Sequence, residues 1–164
     1  ELLPQRFSAS VEQICQRLVS LRKPGAEGIP FGFLRADPSG HISKRFPIAG
    51  LPVPRSGNGC PLWPLYGAFQ TPDRVIRQLA EFPNGSRYLF IGRTVRHEPA
   101  LFHEAPFLHA VMLACDVVHA DQTVYADGLD FAARHMATPV GPNCRLCSRS
   151  DCLHRGEDSI LYSR

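Results

Sequence analysis

No apolar run in this 164-residue chain approaches the roughly 20 residues that a membrane-spanning helix needs, so a transmembrane helix is excluded. Excess charge is also missing. The 18 Lys and Arg stand against 15 Asp and Glu, and a balance of +3 is too mild for a nucleic-acid-binding surface. Any contact with DNA is therefore assigned to another segment. The opening residues, "ELLPQRFSAS", lack an initiator Met, a basic stretch ahead of an apolar one and a small-residue cleavage site, so no signal peptide is read. The chain reads as a fragment of a longer cytoplasmic protein. G-x-S-x-G, G-x-x-x-x-G-K-[ST] and the dinucleotide fingerprint are all absent. The pairs His97-Glu98 and His103-Glu104 have no second histidine at helical spacing, which argues against a zinc protease. Asp37, Asp127 and Asp130 lie in glycine-bearing strings and read as turn formers. No nucleophile has an evident base beside it, and the expectation is a protein that is not an enzyme.

The length suits one domain, residues 1–164, with a substantial core. "SASVEQICQRLVSLR" (8–22) repeats apolar residues at helical spacing behind Ser8 and Ser10 as candidate caps. "IPFGFLRADPSGHISKRFPI" reads as a hairpin turning at Pro38-Ser39-Gly40. The loop "AGLPVPRSGNGCP" then delivers Cys60 and Trp63. Thr71-Pro72-Asp73 is taken as the start of a helix over 72–82, with Val75, Ile76, Leu79 and Ala80 as its apolar face. "RYLFIGRTV" (87–95) and the run from Phe107 read as strands, joined by a loop over 96–106. A short helix is expected somewhere in "DQTVYADGLDFAARHMATPVG". The order implies an α+β fold: a mainly antiparallel sheet with flanking helices, of GAF or PAS sensor type by analogy, ending in a Cys-rich tail.

Cysteine is where the sequence is most informative. Three of the six lie at C-x2-C-x4-C in "PNCRLCSRSDCLHR", as Cys144, Cys147 and Cys152 within the segment 141–155. A chain of this length has no need of disulfide staples, and clustering at one end favours metal, with disulfides and reduced thiols as alternatives. A fourth ligand must come from elsewhere. Cys60, in "GCPLW", is the candidate, and His154 is a possible substitute. Three clustered cysteines and a distant one suit an iron–sulfur cluster, whereas structural zinc more often uses two C-x2-C pairs. Arg145, Arg149 and Arg155 either stabilise thiolates electrostatically or are solvated surface charges. Cys15 and Cys115 fall in apolar runs and read as buried small hydrophobes.

Cations elsewhere are candidates for phosphate. Lys44 and Arg45 point to opposite faces of the second hairpin strand, with Arg35 on the first, and arginine offers bidentate geometry. A solvated strand face is the competing reading. Tyr88 and Arg93, in the following apolar strand, either line a pocket or belong to the core and its rim.

With these residues in view, "RFSAS", "GIPFGFLRADPSGHISKRF", "CPLWPLYGAF", "RYLFIGRTV", "VYADGLD" and "PVGPNCRLCSRSDCLHR" resemble the C-terminal domain of the short-chain fatty acyl transcriptional regulators. The resemblance runs over almost the whole chain, and its most specific parts are the tail cysteines and the distant Cys-Pro-Leu-Trp. It implies a bacterial transcription factor's sensory domain, with a helix-turn-helix in a preceding segment and a homo-oligomeric full-length protein. It also implies that Cys60, Cys144, Cys147 and Cys152 hold an iron–sulfur cluster of [4Fe–4S] type. Lys44, Arg45, Tyr88 and Arg145 are implied to bind an acyl-CoA effector. Redox state or the metabolite would then control DNA binding. One departure is local: after "CLHR" the chain continues "GEDSILYSR", where the family commonly has an Ala-Phe-Pro-Pro-like run. Two rivals stand beside this reading: a zinc-stapled binding module and an enzyme acting on acyl-CoA thioesters.

Overall fold

Ser10 opens the main helix with a reciprocal cap: its hydroxyl accepts the Gln13 amide at 3.1 Å while the Gln13 side chain accepts the Ser10 amide at 2.8 Å. In the computed structural model, which describes residues 2–21, 23–97, 101, 103 and 106–162, this helix is α2 (Val11–Ser20), preceded by a short α1 (Leu2–Phe7). Next comes the expected hairpin of β1 (Gly32–Ala36) and β2 (Ile42–Phe46). The Asp37 carboxylate accepts the amides of Ser39 and His41, and Gly40 takes φ +90°, so the turn residues set the reversal.

The chain continues through α3 (Pro64–Gly67), β3 (Ile76–Glu81), β4 (Arg87–His97), β5 (Phe107–Asp116) and a two-residue β6 (Thr138–Pro139). One six-stranded sheet results, in the order β2-β1-β5-β4-β3-β6. Every neighbouring pair is antiparallel except β3 with β6. The mainly antiparallel α+β sheet expected from sequence is therefore present. The stretch expected to hold a short helix, 121–141, contains 3-10 turns at Val124–Ala126 and Arg134–Met136, and a third, Val117–Gln122, ends at its start. Of the loop expected over 96–106, residues 98–100, 102, 104 and 105 lie outside the described residues, and with them Glu98 and Glu104.

The helix expected over 72–82 is a strand. Asp73, read as a helix-starting residue, has φ +65° and sits in a turn, and β3 pairs with β4 from Ile76↔Gly92 to Glu81↔Arg87. Its two sequence neighbours Leu79 and Ala80 are both buried because each face of the sheet is covered. Two buried neighbours imitate helical spacing when a strand is enclosed on both sides.

Alternation along the strands sorts the core into two layers. Phe33, Leu89, Ile91, Val111 and Leu113 face α2, where Val11, Cys15, Leu18 and Val19 cover them. Leu34, Tyr88, Phe90 and Met112 face the other way, toward Trp63, Phe82 and the Cys60 loop. Trp63 meets Phe90 and Phe82 edge-on, at centroid distances of 5.9 and 6.5 Å.

Candidate functional site

Cys60, Cys144, Cys147 and Cys152 line one narrow pocket, together with Arg149, Arg155 and Gly141. The fold brings them together in two steps. Trp63, only 1% exposed, anchors the Cys60 loop in the core, and the Trp63 amide donates back to the Cys60 carbonyl at 3.0 Å. β6 then carries the tail alongside β3, where the Val140 amide donates to the Glu81 carbonyl at 2.9 Å.

Arginine holds the tail in shape. The Arg155 guanidinium donates to the carbonyls of Cys144 (2.9 Å), Cys147 (3.4 Å) and Arg149, so one side chain collects the turn that bears the thiols. Arg149 reaches out of the tail to the Glu81 carbonyl at 2.9 Å. Backbone amides approach sulfur as well: Gly156 donates to Cys144 Sγ at 3.4 Å, and the amides of Gly141 and Leu62 hydrogen-bond Cys60. Burial pushes the Cys60 thiol above its ordinary pKa, and those two amides act in the opposite direction.

The donor chemistry suits a thiolate-ligated group in number and type, with N–H groups aimed at sulfur. Gly141 marks the tightness of the cradle, since a Cβ there would lie 2.6 Å from Cys147 Sγ. The free space among the thiols is only about 10 Å³, so a group of cluster size needs an outward shift of the tail. No helix or strand stiffens residues 141–162 against that shift. Among the described residues, no group of three or more His, Cys, Asp or Glu side chains is arranged to hold a single metal ion. His154 is not among the residues lining the thiol pocket.

Of the remaining cysteines, Cys115 is buried in the core as expected, and Cys15 is half-buried against it. Burial pushes the thiol pKa of Cys15 to about 11 and that of Cys115 to about 12.

The four residues expected to bind an effector do not form one group. Lys44 is on the α2 face, 2.8 Å from Glu12. Arg45 is on the opposite face and donates to the carbonyls of Ile42, Pro54 and Gly57. Tyr88 is 2% exposed and packs against Phe82 and Phe90. Arg145 lines a cleft of about 950 Å³ bounded by residues 53–59 and Pro61 on one side and 143–146, 154, 156, 157 and 160 on the other.

Glu12 was not legible as a site residue. This buried carboxylate accepts from Lys44 at 2.8 Å and Arg35 at 3.0 Å, with His97 Nε2 at 3.7 Å. Burial pushes its pKa up, but the hydrogen bond from Lys44 and the charge of Arg35 outweigh that and leave it below the ordinary value. In the sequence, Glu12 is one charge on an amphipathic helix, and both cations lie on the hairpin 23 and 32 residues away.

Comparison with known proteins agrees with this architecture. The family described as "Short-chain fatty acyl coenzyme A regulator, C-terminal" matches over residues 20–163. The propionyl-CoA carboxylase regulator of Cereibacter sphaeroides is 44% identical over 155 residues, which cover 94% of this chain and 33% of that protein. The HTH-type transcriptional regulators RamB and PrpR of Mycobacterium tuberculosis are 38% and 37% identical, each over 94% of this chain and over 33% and 32% of their own lengths. A solved structure of a Mycobacterium tuberculosis transcriptional regulator superposes with a TM-score of 0.88 at 35% identity, covering 99% of this chain and 49% of that one. The chain thus spans about a third of the length of the curated relatives it matches.

Proposed function

As the chain belongs to the family of short-chain fatty acyl coenzyme A regulator C-terminal domains, we propose that it is the sensory domain of a transcriptional regulator, that Cys60, Cys144, Cys147 and Cys152 bind an iron–sulfur cluster, and that it answers to an acyl-CoA. The observation that carries the cluster assignment is the meeting of a core-anchored thiol with three tail thiols, some 84 residues apart in sequence at the nearest (144 minus 60), in one pocket. Amides of Gly141, Leu62 and Gly156 toward sulfur support it, as does the Arg155 guanidinium behind the tail. A [4Fe–4S] cluster bound there supplies a reversible electron couple and four iron–thiolate bonds.

This chain's own residues would carry the consequence. Cys60 belongs to the rigid core through Trp63, whereas Cys144, Cys147 and Cys152 belong to a tail held by arginine–carbonyl hydrogen bonds. Joining the two fixes the tail on the sheet, and parting them frees it. A difference of this kind between two conformations is what a regulator transmits, because an effector shifts an equilibrium only by its differential affinity for the two states. DNA contact is assigned to a helix-turn-helix in the rest of the full-length protein, and no catalytic role is assigned to this domain.

The decisive experiment is anaerobic purification followed by visible spectroscopy and assay of iron, sulfide and zinc, in the wild type and in Cys60→Ala. Iron and sulfide in near-equal amounts, with a broad visible absorption lost in the variant, is the expected result. A colourless protein with one zinc per chain would replace the cluster by a structural staple.

A further inference from the structure

The thiol pocket gathers positive charge without a matching anion. Arg149 and Arg155 both line it, each half-buried, and their donors end on backbone carbonyls: Val140 and Glu81 for Arg149, and Cys144, Cys147, Arg149 and Glu157 for Arg155. A carbonyl accepts a hydrogen bond but cancels no charge. Among the described residues neither guanidinium meets a carboxylate, whereas Arg35 and Lys44 on the other face share the buried Glu12. The tail acids Asp151, Glu157 and Asp158 are exposed, so water screens them from the pocket.

Two cations drawn partly out of water without a counter-ion are costly, and a guanidinium cannot shed its proton to relieve that cost. The four thiols of the same pocket supply the missing charge, because metal ligation holds them as thiolates. A [4Fe–4S] core with four thiolates is a dianion when oxidised and a trianion once it has taken one electron. We infer that Arg149 and Arg155 are the counter-ions of this site and stabilise its one-electron-reduced form, so that they set its reduction potential as well as the shape of the tail. The inference rests on the cluster reading above and gives a redox-tuning role to two residues that are not ligands. In that step one electron arrives from a one-electron donor such as a reduced flavin, which is left oxidised by one electron, and no bond breaks and no proton moves. Arg155 is bonded to the turn that bears Cys144 and Cys147, so its charge stays beside the thiolates when the tail shifts outward. Arg149 is bonded to the sheet side of the junction, at Glu81 and Val140.

A mediated redox titration of the anaerobically purified chain tests this, read by bleaching of the visible absorption, with iron and sulfide assayed in every variant. Arg149→Met and Arg155→Met are each expected to move the reduction equilibrium about tenfold toward the oxidised form, which is about 59 mV to lower potential for a one-electron couple. Arg149→Lys and Arg155→Lys keep the charge and are expected to stay near the wild-type potential. Arg74→Met removes an exposed cation outside the pocket and should leave the potential unchanged. A purely structural role would alter stability and iron retention, but not the potential of the protein that loads. Wild-type potentials in both loaded Met variants would therefore overturn the inference and leave the cluster reading intact. If a Met variant fails to load, the Lys variant at the same position decides: loading restored by Lys supports a role for charge, and failure of both shows that bonding geometry alone matters and overturns it. A wild type without iron and sulfide would defeat the cluster reading itself, and the counter-ion role with it.

Discussion

The two layers packed on this sheet are secured by different physics. On one face α2 lies as a capped amphipathic helix over an apolar layer, fastened at its first turn by the buried Glu12 among Arg35, Lys44 and His97. On the other face the tail has neither helix nor strand beyond β6, and its carbonyls are gathered by Arg149 and Arg155. A helix satisfies its own backbone and needs only an apolar stripe to dock, whereas an irregular segment must find an external donor for nearly every buried carbonyl. The α2 face is therefore built to persist, and the tail face is built to depend on its cross-links. The sensory role proposed above needs one region that yields while the rest holds.

The most severe way to break the tail side is at Gly59, beside the anchored thiol. A Cβ there would lie 2.5 Å from Trp63 Cε3 and closer still to Cζ3, and Trp63 is locked between Phe82 and Phe90 with 1% exposure. Overpacking of a core costs about 1–3 kcal/mol, and contacts this short call for the upper end, so Gly59→Ala should lower the urea midpoint strongly. A midpoint within error of wild type would mean that the Trp63 ring moves freely, and the anchored half of the comparison would fail.

Next in size is Arg155→Ala. It removes charged donors from the carbonyls of Cys144, Cys147 and Arg149, at a cost of about 2 kcal/mol confined to the tail. Limited proteolysis should cut within residues 141–162 much faster than in wild type, with α2 as resistant as before. Equal protection of both regions would show that the arginine scaffold contributes little.

The contrast between the faces also explains what was legible in the sequence. α2 and the β1–β2 hairpin announce themselves by local signals, the Ser10 cap and the Asp37–Gly40 turn, because their structure is set by residues close in sequence. Four cysteines with a recognisable spacing pointed to the junction, and the fold does bring them to one pocket. What escaped depends on distant partners. β3 resembled a helix because enclosure on both faces removed the alternation that marks a strand. Glu12 looked like a surface charge because Arg35 and Lys44 reach it only once the hairpin is folded beneath α2.

On the α2 face, Glu12→Gln leaves two cations around a neutral amide and should cost about 1–2 kcal/mol. The wild type carries the matching pH signature. Its folded pKa is below the ordinary 4.5, so the stabilisation is complete above about pH 4.5 and is lost as pH falls through the lower folded value. Denaturation midpoints measured from pH 6 down to pH 3 should therefore fall less steeply in Glu12→Gln than in wild type. Parallel curves would mean that Glu12 is not the titrating group that fastens α2.

The smallest effect separates the two cations on Glu12. The Lys44 side chain is 38% exposed and that of Arg35 is 19% exposed, although Lys44 Nζ is slightly nearer, at 2.8 Å against 3.0 Å. Distance alone ranks Lys44 first. Solvent screening reverses the order, because water around the more exposed ammonium takes up most of what the shorter contact gains, and Arg35 is further fixed by its bond to Ser43 Oγ at 2.9 Å. Lys44→Ala should cost about 0.5 kcal/mol, shrinking further in molar salt, and Arg35→Ala should cost more and depend less on salt. If Lys44→Ala proved the more damaging, contact distance would outrank burial here, and the face carrying α2 would rest on an exposed and salt-sensitive pair.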